Sequence, residues 1–399
     1  MKSKQLALIG LIGLSLVGCF EKETPTQKKI VVTNPMDVDR EFETVSVSLD
    51  SLYLDETDVT EGSIVIIDDA TKEQIISQTI DSDGDGTDDT VLFQPKIQAK
   101  SEMSFSASRS DSTTTASNDT VPRVYSRFVP ERTDDYAWEN NRVAFRTYGP
   151  TAQHMIENDV KGGTLSSGID AWLKRVDYPI INKWYYKETE TEGTYHEDTG
   201  EGLDNFHVGS SRGVGGIAVK DDGTYHISKN FTEWKRLYNG PIRTSFVLTY
   251  AAWDANGAEI SEEKHISLDC GSNLSRFEIA IDGTDTISAG ITLHDNEGTT
   301  EANKEQGWIS YWEAIEDSEI GMGIVVPGGQ MVGHEKYETD QKDRSNLYAH
   351  IQLNEDGKAV YYAGFGWKKS GQYMNRTEWE KYLERYAEKL KHPLVVEMR

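Results

Sequence analysis

The sequence predicts an all-β protein: a small N-terminal β-sandwich followed by a large antiparallel sandwich, with one helix near the C-terminus. Three observations carry that expectation. From Glu41 onward, short runs alternate polar and apolar residues with the period of half-buried strands. Gly and Asp punctuate these runs at turn spacing. A persuasive helical period with its own start and stop signals occurs after Thr377.

The chain opens with Lys2 and Lys4, an apolar run from Leu6 to Val17, and the small-residue box Leu16-Val17-Gly18-Cys19. Residues 1–18 therefore read as a lipoprotein signal peptide, too short an apolar run to cross a bilayer stably. Acylation of Cys19 supplies two or more chains, which suffices for stable anchoring. The expected location is the outer membrane, facing the periplasm or the cell surface. Residues 19–40 are polar, contain Pro25 and Pro35 and show no apolar period, so they read as a tether. Residues 41–120 form the expected small sandwich, with strands at Val45–Leu49, Ser63–Ile67 and Thr90–Phe93 and a Ser/Thr-rich linker from Ser106 to Thr120. Residues 121–399 hold the longer strands, among them Arg142–Tyr148, Ser245–Trp253, Phe277–Ile281 and Val360–Phe365. Near the end, Thr377 and Glu380 form a capping box; Trp379, Leu383, Tyr386 and Leu390 share one face, and Pro393 stops the helix.

A formal charge of −26, or −28 once Lys2 and Lys4 leave with the signal, excludes nonspecific nucleic-acid binding. After acylation of Cys19 the one remaining thiol is Cys270. No intramolecular disulfide can then form, and Cys270 reads as a small core residue. There is no Walker loop, no G-x-S-x-G elbow and no H-E-x-x-H helix, and Gly213-Val214-Gly215-Gly216 lacks the spacing of a dinucleotide fingerprint.

Asp81, Asp83, Asp85 and Asp89, with Gly84 and Gly86 between them, place carboxylates at alternate positions of a tight loop. That pattern resembles the first half of an EF-hand and makes these four the candidate ligands of a structural calcium. The pattern then fails at Leu92, where the bidentate glutamate belongs; an acidic turn between strands is the alternative.

The chemistry is expected in the middle of the chain. Trp138, Arg142, Arg146, Tyr148, Lys174, Lys183, Tyr185, Tyr195, His196, His207 and Arg212 concentrate cations, aromatic rings and imidazoles in an otherwise acidic protein. Aromatic faces suit sugar rings, and arginine matches a carboxylate or sulfate with a planar fork. Together they point to a site for an anionic sugar. Period two puts Arg142, Arg146 and Tyr148 on one face of their strand. His196 and His207 lie in a Gly- and Asp-rich segment, Gly193 to Gly216, that reads as a long functional loop. His294 and His334 read as structural.

The strings RFVPERTDDYAWENNRVAFRTYGP (127–150), GIDAWLKRV (168–176) and YHEDTGEG (195–202) resemble an uncharacterised-domain family of exported proteins encoded in polysaccharide-utilisation loci. The resemblance covers residues 121–399 and extends to the Asp81 loop. It implies a galactose-mutarotase-like β-supersandwich for the larger unit, and work on carboxylated polysaccharides such as pectin or ulvan. The chain is similar to ulvan-oligosaccharide dehydratases. That resemblance implies β-elimination of water from a non-reducing-end glucuronate or iduronate, giving a 4,5-unsaturated uronyl end. In this reading Arg142, Arg146 or Arg212 clamps the carboxylate, with Trp138, Lys174, Lys183 and Tyr185 as further substrate contacts. His196 or His207 takes the C5 proton, Tyr148 or Tyr195 protonates the leaving oxygen, and no catalytic cofactor is required. A lyase that cleaves the chain, a sugar epimerase and a noncatalytic glycan-capturing lipoprotein are the rival readings.

Overall fold

The computed structural model describes residues 28–52, 63–110 and 123–399. The signal peptide, Cys19, most of the tether and the linker from 111 onward lie outside the described residues. The structure is all-β, built from antiparallel sheets, with helices α1 (Pro150–Glu157), α2 (Ile181–Glu190) and the C-terminal α3 (Arg376–Lys391). Among the described residues, no helix is long and apolar enough to cross a membrane.

The small N-terminal sandwich pairs a five-stranded sheet with a three-stranded one. Its core joins Ile30, Val32, Val47, Ile66, Val91, Phe93 and Phe105. One expectation fails here. The segment 19–40 is not all tether, because Ile30–Thr33 is a strand hydrogen-bonded between Glu102–Ser110 and Val395–Met398. A four-residue run with Ile30 and Val32 fully buried is too short to register as a period, yet it closes the sheet. The chain's last strand also returns to this sheet, so the small sandwich is completed by residues from both ends. Residues 106–110, expected as linker, continue the strand that begins at Glu102.

The larger unit stacks a nine-stranded antiparallel sheet against a five-stranded one, with a further five-stranded sheet of shorter strands at one side. Inward positions such as Phe246, Ile266, Phe277, Ile279, Tyr361 and Phe365 fill the space between sheets. Helix α3 lies over Ser318–Val325: Trp379 and Leu383 are fully buried, and Trp379 Nε1 donates to the Met322 carbonyl at 3.1 Å. A Cβ on Gly323 would sit 2.6 Å from the Leu383 side chain, so glycine is what lets the helix come this close. The cap differs from the expected one. Asn375 is the N-cap, its Oδ1 accepting from the Glu378 amide at 3.1 Å, and Glu378 reaches back to the Met374 amide. The pairing resembles a capping box shifted two residues toward the N-terminus, except that Glu378 accepts from the amide one residue before the cap. Cys270 is half-buried, with its thiol pushed above its ordinary pKa by burial.

Candidate active site

Period two on three neighbouring strands assembles a polar cluster. Asp135, Ala137 and Glu139, then Ala144 and Arg146, then Asp170, Trp172 and Lys174 stand at alternate positions of strands in register, with Arg146 opposite both Ala137 and Asp170. The intervening residues Tyr136, Trp138, Phe145 and Ala171 point into the main core. The polar face is covered by α2 and the loop after it, which bring Trp184, Tyr185 and Tyr195 onto Trp172.

Arg146 is the hub and is only 6% exposed. Its Nε and Nη2 donate to Asp170 Oδ2 at 2.9 and 2.5 Å, Nη2 also reaches Asp204 Oδ2 at 2.8 Å, and Nη1 donates to the Tyr195 hydroxyl at 3.0 Å. Asp135 Oδ2 lies 3.8 Å from Nη1. Trp172, Tyr148 and Tyr195 surround the guanidinium at 5.1 to 5.7 Å. Burial disfavours the Arg146 charge, but Asp204 and Asp170 more than offset that and hold its pKa above the ordinary arginine value. Burial, followed by the charge of Asp204, pushes Asp170 up to about 7. Burial likewise raises Asp135 to about 6 and moves Asp204 upward.

Above this cluster opens a cleft of about 850 Å³, lined by Arg146, Tyr148, His196, Asp204, Asn205, Phe206, His207, Ser210, Lys342 and Asp343 among others. Tyr148 donates to Asp170 Oδ2 at 3.3 Å, and burial, then Asp170, hold the phenol far above its usual pKa, so it stays protonated. His196 Nδ1 is 2.6 Å from the Asp204 carbonyl. A carbonyl only accepts, so the proton sits on Nδ1 and Nε2 carries the lone pair of the neutral ring. His207 Nε2 pairs with Asp343 Oδ2 at 3.0 Å, and its carbonyl accepts from His294 Nε2 at 2.8 Å. His294 is bonded through Nδ1 to Glu313; burial opposes its charge, but Glu313 raises its pKa above the ordinary histidine value. His294 thus braces the loop that carries His207.

Four of the sequence-predicted residues, Arg146, Tyr148, His196 and His207, therefore share one cleft. The rest do not. Tyr195 is 1% exposed and spends its hydroxyl on Arg146. Arg212 is fully buried and donates to Ser167 Oγ and to the carbonyls of Ile217 and Ser210, bracing the loop from below. Arg142 precedes the strand, bonds Asn273 Oδ1 at 3.3 Å and lies over Phe42 of the small sandwich. Lys174 is fully buried against Glu139 at 2.7 Å and the carbonyls of Asn140 and Tyr178. Trp138 donates to Ser275 Oγ in the core, and Tyr185 donates to Asp135. Lys183 is exposed, pairs with Glu201 at 2.6 Å and lines a separate pocket of about 460 Å³ with Tyr178, Tyr186 and Lys187. Arg146 spends three of its five donors on protein carboxylates and a fourth on the Tyr195 hydroxyl, so at most one Nη1 proton is left for a substrate, too few for a two-pronged clamp.

Sequence reasoning missed Asp170, Asp204, Asp343 and Lys342. A carboxylate alternating with Trp172 and Lys174 in the strand Asp170–Lys174 was the one signal available for Asp170. In the N-terminal loop, Asp81, Asp83 and Asp89 bring carboxylate oxygens within 4.8 Å of one another. Asp85 is not part of this group; its Oδ1 accepts from the Thr87 amide at 2.8 Å. Asp81 already accepts from the amides of Gly84 and Gly86, as an acidic turn does.

Two solved structures from Enterococcus faecalis are distant matches. One is a protein in the glycosyl hydrolase family 38, at 12% identity and TM-score 0.47; the other is an alpha-mannosidase, at 11% and 0.45. Each match covers 94% of this chain, which spans about half of theirs, 48% and 46%. A curated protein of Formosa agariphila, named "Uncharacterized protein P7", is 54% identical over 396 residues, covering 99% of both chains. Residues 32–396 match the family described as "Domain of unknown function (DUF4861)", and the chain belongs to that family.

Proposed function

We propose that the protein is a carbon–oxygen lyase that removes water from a non-reducing-end glucuronate or iduronate of an anionic oligosaccharide. The observation that carries this reading is a continuous chain of contacts, Tyr148–Asp170–Arg146–Asp204–His196, along one cleft. It sets a protonated phenol and an imidazole whose Nε2 has no partner among the described residues on the same cavity, the acid and base that β-elimination requires. His196 Nε2 takes the C5 proton. The C–H pair becomes the C4–C5 double bond, the C4–O bond breaks, and the leaving oxygen takes the Tyr148 proton and departs as water.

The carboxylate contact passes from arginine to Lys342. It lines the cleft and has no carboxylate partner among the described residues, whereas every arginine expected for the task is held by the protein. Asn205 lines the same cleft, its Oδ1 buried without a partner among the described residues. Lipid anchorage through Cys19 in the outer membrane belongs to the same proposal.

The test is ultraviolet absorbance with mass spectrometry on the signal-less protein mixed with saturated uronate-terminated oligosaccharides. A new conjugated double bond with loss of one water and unchanged chain length is expected. The same bond on shortened chains means a chain-cleaving lyase. Binding without reaction on any uronate oligomer overturns the enzyme reading.

A further inference from the structure

The cluster beneath the cleft holds more acid than the mechanism above uses. Asp135, Asp170 and Asp204 are at most 2% exposed and face one guanidinium, that of Arg146. Arg132, half-buried beside Tyr195 and Asp135, is the second cation at the cluster. Three carboxylates against two guanidiniums leave one uncompensated negative charge away from water, which is strongly unfavourable unless it is neutralised. The crowding is greatest where Asp170 Oδ2 and Asp204 Oδ2 both accept from the same Arg146 nitrogen, at 2.5 and 2.8 Å. Asp170 is fully buried, and its Oδ1 has no partner among the described residues.

We propose that Asp170 and Asp204 share one proton in the resting protein, and that this proton refills Tyr148 as the phenol discharges to the leaving group. Asp170 is then a positioning residue that acts through Tyr148 and does not touch the substrate. The inference rests on the dehydratase reading for its purpose, but not for its existence.

The need for it is electrostatic. Tyr148 is buried beside Asp170, so a lone phenolate there would be a second uncompensated charge. Asp170 Oδ2 accepts from the Tyr148 hydroxyl at 3.3 Å; once the phenol proton turns to the departing oxygen, the same contact runs the other way, the protonated Asp170 donating to the phenol oxygen. As the Tyr148 O–H bond breaks toward the departing oxygen, the Asp170 O–H bond breaks and the phenol O–H reforms. The charge ends on the Asp170 carboxylate, already bonded to Arg146, and the pair regains its proton from solvent after water leaves. The other titratable groups facing the pair are Tyr195 and His196 from the loop, Tyr185 from α2 through Asp135, and Arg132 from the turn before Thr133. Of these, the base His196 stands on the Asp204 side, its Nδ1 3.8 Å from Oδ2, so acid and base limbs meet at one shared proton.

The experiment is difference infrared spectroscopy of the signal-less protein, wild type against Asp170→Asn and Asp204→Asn, with turnover measured in parallel. A neutral carboxylic-acid carbonyl band is expected near neutral pH. It fades as pH rises through about 7 and is lost in Asp170→Asn. On uronate oligosaccharide, Asp170→Asn is expected to lower kcat about a hundredfold with KM little changed, and to abolish the alkaline fall of the wild-type rate. Asp170→Glu, which keeps an acid, restores part of that fall. Absence of the band from wild type, or its persistence in both Asn variants, overturns the shared proton even if the enzyme reacts as proposed. A band that behaves as expected in a protein that turns over no uronate leaves the proton store standing and removes the dehydratase.

Discussion

Replacing Asp170 with asparagine also changes how stability depends on pH, by an amount that follows from the buried cluster. The folded-state pKa of Asp170 is about 7, against an ordinary 3.8 in the unfolded chain. Between those values the folded protein holds a proton that the unfolded chain has released. Its contribution is therefore fully present below about pH 4 and is lost as pH rises toward 7, at about 1.4 kcal/mol per unit. From pH 5 to pH 7 that amounts to roughly 2–3 kcal/mol. Asp135, raised to about 6, adds a slope of the same sign over the lower part of the window. His294 adds one at higher pH, which cancels when wild type is compared with variant, whereas Asp135, raised in part by the Asp170 charge, is relieved in the variant and adds to the difference. Glu278 and Asp69, held down to about 2, act in the opposite sense and only in more acid solution. The assay is urea unfolding at pH 5 and pH 7 on wild type and Asp170→Asn. Wild type is expected to lose about 2–3 kcal/mol more than the variant over that interval. Parallel losses would refute the buried, protonated carboxyl and with it the reason for a shared proton.

Lys342→Gln should raise KM for a uronate oligosaccharide about tenfold or more while leaving kcat nearly unchanged, measured by steady-state kinetics. An unchanged KM removes Lys342 from carboxylate recognition. Lys174→Met, which strands Glu139 in the interior, should cost about 3–5 kcal/mol, whereas Lys183→Met at the exposed Glu201 pair should cost under about 1 kcal/mol; denaturant titration checks both. Trp379→Ala should cost about 3–5 kcal/mol by the same measurement, since the indole is fully buried and bonded to Met322. Cys19→Ser should move the protein from the membrane to the soluble fraction of cells, read by fractionation.

The fold was legible because its signal is local. Alternation announces many of the strands, and the burial of Trp379 and Leu383 follows from their spacing on α3. The strand Ile30–Thr33 was not legible, because its meaning comes from partners at both ends of the chain. The short helices α1 and α2 were hidden for a related reason: α2 buries Trp184 and Tyr185 against Ala137, Ala144 and Trp172, partners that come from three strands distant from it in sequence. The site was half legible. Residue type alone drew attention to Arg146, Tyr148, His196 and His207, and the fold brings these four to one cleft. Residue type also made each arginine look like a substrate clamp. Whether a guanidinium is free depends on which carboxylates the register sets opposite it, and register is invisible in one sequence. In an acidic chain the carboxylates Asp135, Asp170 and Asp204 carried no surprise as residues. Only the pairing of Arg146 with Asp170, and the loop that lays Asp204 over both, turn surface-type residues into a buried acid store. The arginine that looked most like a ligand for the substrate is the one the protein uses to hold its own acids in place.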